Sequence, residues 1–143
     1  MTKFCCDTSV LVAAFSSWHS EHRRALEALE ELLAQRSEFC VVNHTVFETY
    51  SVLTRLPAPH RLSHSDAWSL VSQNLLSQKL LQLGTQSTAS LLHSLASQQI
   101  GGGRVYDALI AATAKDGGVG LLLTLNPSHF RDFADGGFNI STP

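Results

Sequence analysis

Short apolar runs alternate along the chain with longer segments in which apolar residues recur every three or four positions. The short runs predict strands, at residues 4–6, 39–42, 79–83, 120–124 and, at an edge, 138–140. The periodic segments predict helices, at residues 10–15, 18–36, 45–55, 65–76, 85–98 and 105–115, with a helical turn at 128–133. Because strands alternate with helices, we expect an α/β fold with a mostly parallel, roughly five-stranded sheet and helices on both faces.

The stretch 101–130 places polar residues at both ends of a predicted helix–strand pair. Gly117 and Gly118 should end the helix, and the residue before Pro127 is pushed towards extended geometry, which ends the strand. In open α/β sheets the chemistry gathers at the carboxyl ends of the strands. Asp107, near the start of the helix, and Asn126, after the strand, are therefore the first candidate site residues.

Composition and charge indicate one globular domain over residues 1–143. The chain has 44% hydrophobic and 15% charged residues, with a net charge of −2. This balance argues against indiscriminate nucleic-acid binding but leaves room for a local basic groove. No apolar stretch approaches the roughly 20 residues of a membrane helix, and no signal-peptide pattern precedes the first strand. Three cysteines inside predicted strands suggest reduced, buried thiols, so we expect a cytoplasmic protein with no membrane contact.

Two further acids, Asp7 and Glu48, lie where a strand ends or a helix begins. Asp7 follows the first strand and has the residue type of a helix N-cap, although Thr8 and Ser9 are available to cap in its place. Glu48 lies three residues after Thr45, which is the spacing of a capping box. The alternative is functional: in a parallel sheet, both acids can converge on one edge with Asp107 and Asn126.

Carboxylates brought together repel, so at least one has a raised pKa unless a cation compensates the charge. Oxygen ligands without thiols or paired histidines favour a hard ion such as Mg²⁺ or Mn²⁺. Such ions activate water and stabilise the charge of a phosphoryl transition state. Metal-dependent phosphodiester cleavage is therefore a function that fits this set of residues.

Four segments resemble, in order and spacing, the four motifs of the PIN-domain ribonucleases. They are CCDTSVLVAAF at 5–15, VVNHTVFETYSVLTRL at 41–56, VYDALIAATA at 105–114 and LLLTLNPSHF at 121–130. The likeness covers essentially the whole chain and is closest to the VapC-type toxins of bacterial and archaeal toxin–antitoxin pairs. It implies a three-layer α/β/α PIN-like domain.

The resemblance also implies roles for individual residues. Asp7, Glu48 and Asp107 fall on the family's acidic positions, as catalytic residues and metal ligands. The fourth position holds Asn126 where many members have aspartate; its amide oxygen can still ligate, but a second metal should bind less readily. Five more residues are candidates for supporting the acids or contacting the substrate: Ser9, Thr124, Arg104, His129 and Arg131.

The function implied by the resemblance is that of a toxin, a Mg²⁺- or Mn²⁺-dependent endoribonuclease whose products carry 5′-phosphate and 3′-hydroxyl ends. Its expected partners are RNA, a second copy in a homodimer, and a small antitoxin whose tail enters the catalytic groove. A rival hypothesis is an interaction protein with a weakened metal site that acts only by binding RNA or its antitoxin. A third, a small-molecule phosphatase, lacks that class's usual pair of aspartates after the first strand.

Overall fold

A computed structural model of the chain describes residues 2–143. Its elements follow the order β1 (Lys3–Cys6), α1 (Thr8–Phe15), α2 (His22–Ala34), β2 (Glu38–Val42), α3 (Asn43–Thr54), α4 (His64–Asn74), β3 (Lys79–Leu81), α5 (Thr85–Ser97), α6 (Arg104–Asp116), β4 (Leu121–Leu123), two 3-10 helices (Pro127–His129 and Arg131–Phe133) and β5 (Asn139–Ser141). None of the helices within this range is long and apolar enough to cross a bilayer.

The five strands form one sheet in the order β3-β2-β1-β4-β5, and every neighbouring pair is parallel. The predicted parallel sheet is therefore confirmed. The chain builds outward from β1 through β2 to β3, then returns to the other side of β1 to add β4 and β5. The direction of strand addition thus reverses between β1 and β4, which is where open α/β sheets form a crevice at their carboxyl edge.

Side chains that alternate along the strands supply two separate cores, one on each face of the sheet. One face buries Phe4, Cys6, Val41 and Leu123 against α1, α2, α3 and α4. The other buries Cys5, Cys40, Val42 and Leu122 against α6, and α5 packs against α6. The predicted three-layer α/β/α arrangement is confirmed, and all three cysteines are free and buried.

The largest difference from the predicted boundaries lies at the start of the second helix, and a smaller one lies at the start of the first. Helix α1 begins at Thr8, two residues early, because Asp7 and not a later residue caps it. Helix α2 begins at His22 and not at residue 18. The intervening residues form a turn in which the His19 N–H donates to the Ser16 carbonyl and the Glu21 N–H donates to His19 Nδ1. Such local bonds compete with helix formation.

Helix α6 ends as the two glycines predict. Gly118 has a φ of +78°, and the two closing bonds run from the Val119 N–H to the Ala114 carbonyl and from the Gly118 N–H to the Lys115 carbonyl, at 2.9 and 3.0 Å. This is a Schellman motif, whose left-handed position suits glycine because it has no Cβ. The motif turns the chain from α6 into β4.

We expect Gly118→Ala to lower the free energy of unfolding by about 1 kcal/mol, since an L-residue is strained at positive φ. Gly101→Ala is the matched control, because Gly101 has open space for a Cβ and no positive φ. Urea denaturation of both variants checks this expectation. Equal stability of the two proteins would contradict the requirement for glycine at residue 118.

Candidate active site

Asp7 follows β1 directly and is only 6% exposed. Its Oδ1 accepts hydrogen bonds from Ser9 Oγ at 2.5 Å and from the Val10 N–H at 3.2 Å. Its Oδ2 accepts from Thr124 Oγ1 at 2.6 Å. The N-cap interpretation of Asp7 is therefore correct, and the suggestion that Thr8 or Ser9 would cap instead is wrong. The carboxylate keeps lone pairs free beyond these three bonds, because two ionised oxygens offer about four acceptor sites.

The two hydroxyls that bind Asp7 are themselves held by the backbone after β4. Ser9 Oγ accepts from the Leu125 N–H at 3.1 Å, and Thr124 Oγ1 accepts from the Asn126 N–H at 2.9 Å. Each hydroxyl thus accepts one bond from the backbone and donates its single proton to the carboxylate. The structure thus brings Ser9 and Thr124 to Asp7, where the resemblance predicted them.

Glu48 lies on α3 and does not form a capping box. The helix begins at Asn43, which puts Thr45 inside it, and the Thr45 hydroxyl has no hydrogen-bond partner within residues 2–143. Glu48 instead accepts at Oε1 from Thr8 Oγ1, and its Oε2 lies 3.3 Å from His44 Nε2. The Thr8 contact joins α1 to α3 and was missed from the sequence, because its only local signal is the position next to Asp7.

Asp107 lies in the first turn of α6, half-buried, and its carboxylate makes no hydrogen bond or ion pair within the described residues. Burial is the largest influence and raises the pKa of Asp107. The nearby His129 lowers this pKa, Glu48 raises it, and Arg104 lowers it. The charge of Asp107 is therefore influenced by one other acid and two basic side chains.

The same acid affects Asp7. Burial raises the pKa of Asp7, the hydrogen bonds from Ser9, Thr124 and Val10 lower it, and Glu48 raises it again. Glu48 therefore lies within electrostatic reach of both aspartates. In the range 2–143 no lysine or arginine forms an ion pair with any of the three acids. The negative charge at this edge of the sheet is only partly compensated.

The donor set suits a hard divalent cation, since it consists of carboxylate oxygens, while the neighbouring Cys5 and Cys6 are buried in the two cores. As the side chains stand, however, no three His, Cys, Asp or Glu residues of the described range are grouped to hold a metal ion. Asp7 is fixed by its hydroxyl partners, and Glu48 is turned towards Thr8 and His44. A shared metal would require the carboxylates to move closer together, which uncompensated repulsion opposes and a cation would favour.

The other predicted residues lie around this group with fewer contacts. Asn126 is exposed and occupies the N-cap position of the first 3-10 helix, directly ahead of Pro127, although its side chain makes no capping hydrogen bond. Arg104 pairs with Asp132 at 3.0 Å on the surface. His129 and Arg131 are exposed. Metal ligation by Asn126 and phosphate contact by Arg131 stay predictions.

Two aromatic rings beside the acids were also missed from the sequence. The His44 and Tyr106 rings are stacked, with centroids 4.8 Å apart and planes 1° from parallel, and Tyr106 is 51% exposed. Because His44 contacts Glu48, the stack links α3 to α6 at the edge of the site. The two residues are 62 positions apart in the sequence, so no local pattern joins them.

Comparison with known proteins agrees with this geometry. The chain is 40% identical to Ribonuclease VapC40 of Mycobacterium tuberculosis over 116 residues, 81% of each protein. Its fold matches the crystal structure of VapC20 from Mycobacterium tuberculosis, described as a toxin that cleaves the sarcin-ricin loop, with a TM-score of 0.68 and 17% identity over 90% of this chain and 94% of that one.

A second solved structure, VapBC2 from Rickettsia felis bound to a DNA fragment from its promoter, matches with a TM-score of 0.66 and 17% identity. The match covers 99% of this chain and 98% of that one. The family model of the PIN domain matches residues 4–136, which include all four of the motifs that carried the resemblance. The chain therefore belongs to the PIN-domain family.

Proposed function

We propose that the protein is a VapC-type endoribonuclease that hydrolyses RNA with Mg²⁺ or Mn²⁺ and acts as the toxin of a toxin–antitoxin pair. The observation that carries the proposal is the position of Asp7 at the carboxyl end of β1, where the direction of strand addition reverses, with the adjacent Thr8 bonded to Glu48 of α3. Asp107, in the first turn of α6, is the third acid. The match to the relative named Ribonuclease VapC40 covers 81% of both proteins, which supports the same activity for this chain. The three acids are the proposed catalytic residues.

The metal would be held by the three carboxylates, with the Asn126 amide oxygen as a candidate fourth ligand. When bound, such an ion supplies an activated water and stabilises the charge that develops on a phosphoryl group. The protein itself orients the carboxylates. Asp7 is fixed by Ser9 and Thr124, whereas Asp107 has no partner that a ligand must displace.

The basic side chains near the acids would bind a phosphate of the substrate. His129 and Arg104 both lower the pKa of Asp107, which supports them as candidates to contact a phosphate held beside this acid. Arg104 is paired with Asp132 only at the surface, where an ion pair contributes little. Replacement of Asp132 by an RNA phosphate as the partner of Arg104 would therefore cost little free energy.

The proposed partners follow from the same charge. An acidic groove attracts a protein segment that carries arginine or lysine, since cations form strong bonds with carboxylates. A small antitoxin with such a segment would compete with the metal for Asp7, Glu48 and Asp107. We also propose a homodimer and a cytoplasmic location, as the family resemblance implies.

One observation favours a second candidate, an interaction protein that binds RNA or an antitoxin without cutting RNA. The described acids form no ready metal-binding group, and Asn126 replaces the aspartate that many relatives carry. Such a protein would bind RNA or an antitoxin in the same groove but would not hydrolyse RNA. The predictions below distinguish the two functions.

The first prediction concerns metal dependence. EDTA should abolish RNA cleavage, and Mg²⁺ or Mn²⁺ should restore it, because the carboxylates have no other cation to organise them. Metal binding to the folded protein should also raise its melting temperature. Calorimetry and a gel assay of RNA fragments measure both effects. Cleavage that is undiminished in chelator would contradict the proposed chemistry.

The second prediction concerns Asp107→Asn. We expect RNA cleavage to fall at least a hundredfold, about 2.7 kcal/mol at the transition state. In metal-free buffer at neutral pH the variant should be more stable than the wild type, because the substitution removes a partly buried charge that Glu48 repels. The matched control is Asp66→Asn, since Asp66 is an exposed acid in the first turn of α4. It should retain wild-type cleavage.

The stability difference should also depend on pH in a defined direction. The folded-state pKa of Asp107 is raised, so its charged form destabilises the fold above that pKa. This destabilisation is lost as the pH falls from the raised folded-state pKa to the ordinary pKa of an aspartate, about 3.9. The advantage of the variant should therefore shrink on acidification. An advantage that grows at low pH would contradict the assignment.

The third prediction concerns Glu48→Gln. Glutamine keeps an acceptor oxygen for Thr8, so stability should stay within a few tenths of a kcal/mol of the wild type. Cleavage should fall at least a hundredfold, about 2.7 kcal/mol, because the negative charge that holds the metal is lost. Glu27→Gln, on the exposed face of α2, is the control. A Glu48→Gln protein that is fully active would remove Glu48 from the site.

A further inference from the structure

A second concave site lies beside the acids at the same edge of the sheet. It is a pocket of about 360 Å³ between the carboxyl ends of β2 and β3 and the helices α3, α5 and α6. This volume is within the range of sites that bind small ligands. We name it the Phe47 pocket; it is lined chiefly by Leu81, Leu83, Leu109, Phe47, Asn43 and Gln82.

The chemistry of the Phe47 pocket suits a flat ring that is uncharged. The lining contains leucines, the rings of Phe47 and His44 and two side-chain amides, but no aspartate, glutamate, lysine or arginine of the described chain. A larger cavity, of about 620 Å³, differs because four charged residues line it: Arg104, Lys115, Asp132 and Asp135. A phosphate or a charged peptide side chain would therefore find no counter-ion in the Phe47 pocket.

Two groups in the pocket are available to a ligand. The Phe47 ring is 70% exposed, although a phenyl ring gains free energy from burial. The amides of Asn43 and Gln82 have no hydrogen-bond partner within residues 2–143. An exposed ring can stack on one face of a nucleobase, and side-chain amides match the donors and acceptors on the edge of a base.

The pocket is continuous with the acidic site through one residue. His44 lines the pocket and lies 3.3 Å from Glu48, and its ring is fixed by the stack on Tyr106. A ligand in the pocket is thus one side chain away from the acids. A nucleotide fits this arrangement of an uncharged pocket beside the acidic site, since it places an uncharged ring next to a charged phosphate.

We propose that the Phe47 pocket binds one unstacked nucleobase of the RNA strand whose phosphate lies at the acids. This inference rests on the proposed function and adds a subsite to it, a pocket for a base that has left the stack. The base stacks on Phe47 and forms edge contacts with Asn43 or Gln82. Base-paired RNA cannot deliver a base in this way.

Binding is measured with the full chain carrying Asp107→Asn, so that RNA is not cut. The probes are four fluorescent RNA hexamers, each of a single base, and an abasic hexamer of equal charge. Adding Phe47→Ala should weaken the tightest of the four about tenfold, as expected for one lost stacking contact. Binding of the abasic hexamer should not change. Phe47→Trp keeps a stacking ring and should retain the affinity.

Trp68→Ala is the matched control. Trp68 is 57% exposed and borders another apolar hollow that Phe47 also lines, but it does not line the Phe47 pocket. It should leave binding of every hexamer unchanged. Equal losses from Phe47→Ala and Trp68→Ala, or no loss from Phe47→Ala, would overturn the proposal. So would a Phe47→Ala protein that binds RNA normally but changes its sedimentation, because the ring would then contact a second copy.

Cleavage by the otherwise unmodified chain separates this inference from the proposed function. If the wild-type chain cuts RNA and Phe47→Ala has the same kcat/KM, the base pocket is wrong and the nuclease function stands. If the wild-type chain cuts no RNA but the hexamers bind through Phe47, the nuclease function is wrong and the pocket stands. Failure of every hexamer to bind would overturn the pocket.

Discussion

The burial of one carboxylate, that of Asp7, is the constraint on which the site depends. A buried charge is costly unless hydrogen bonds compensate it. Two hydroxyls and one amide do so here, and the hydroxyls are aimed by backbone groups that follow β4. The Asp7 N–H also donates to the Leu123 carbonyl at 3.0 Å. The pairing of β1 with β4 therefore also fixes the position of the carboxylate.

The strand order extends this constraint to the other acids. Because β4 returns to the side of β1, the helix before it, α6, carries Asp107 to the same edge. Helix α3 leaves β2 without an intervening loop, so Glu48 comes within reach of Thr8 on α1. Three acids from distant parts of the chain thus approach one another because parallel strands share one carboxyl edge.

The sequence predicts the parts of this structure that are local. Alternation and periodicity gave the strands and helices, and the four motifs gave the three acids. The contact of Glu48 with Thr8 was missed because the two residues are 40 positions apart in the sequence. The contact with His44, one helical turn away, was missed because a competing local pattern drew the interpretation. The spacing of Thr45 and Glu48 fits a capping box, yet β2 runs directly into α3, so the helix starts before Thr45 and needs no such cap.

The partial compensation of charge links the stability of the protein to its activity. Asp107 has no bonded partner, and His129 and Arg104 offset only part of the effect of burial and of Glu48. The metal-free site is therefore a source of repulsion within the fold, as in other sites that give up stability for function. Any cation that enters relieves this repulsion, whether it is a metal ion or an arginine of a partner protein. Activation and inhibition of the enzyme would then compete for the same uncompensated charge.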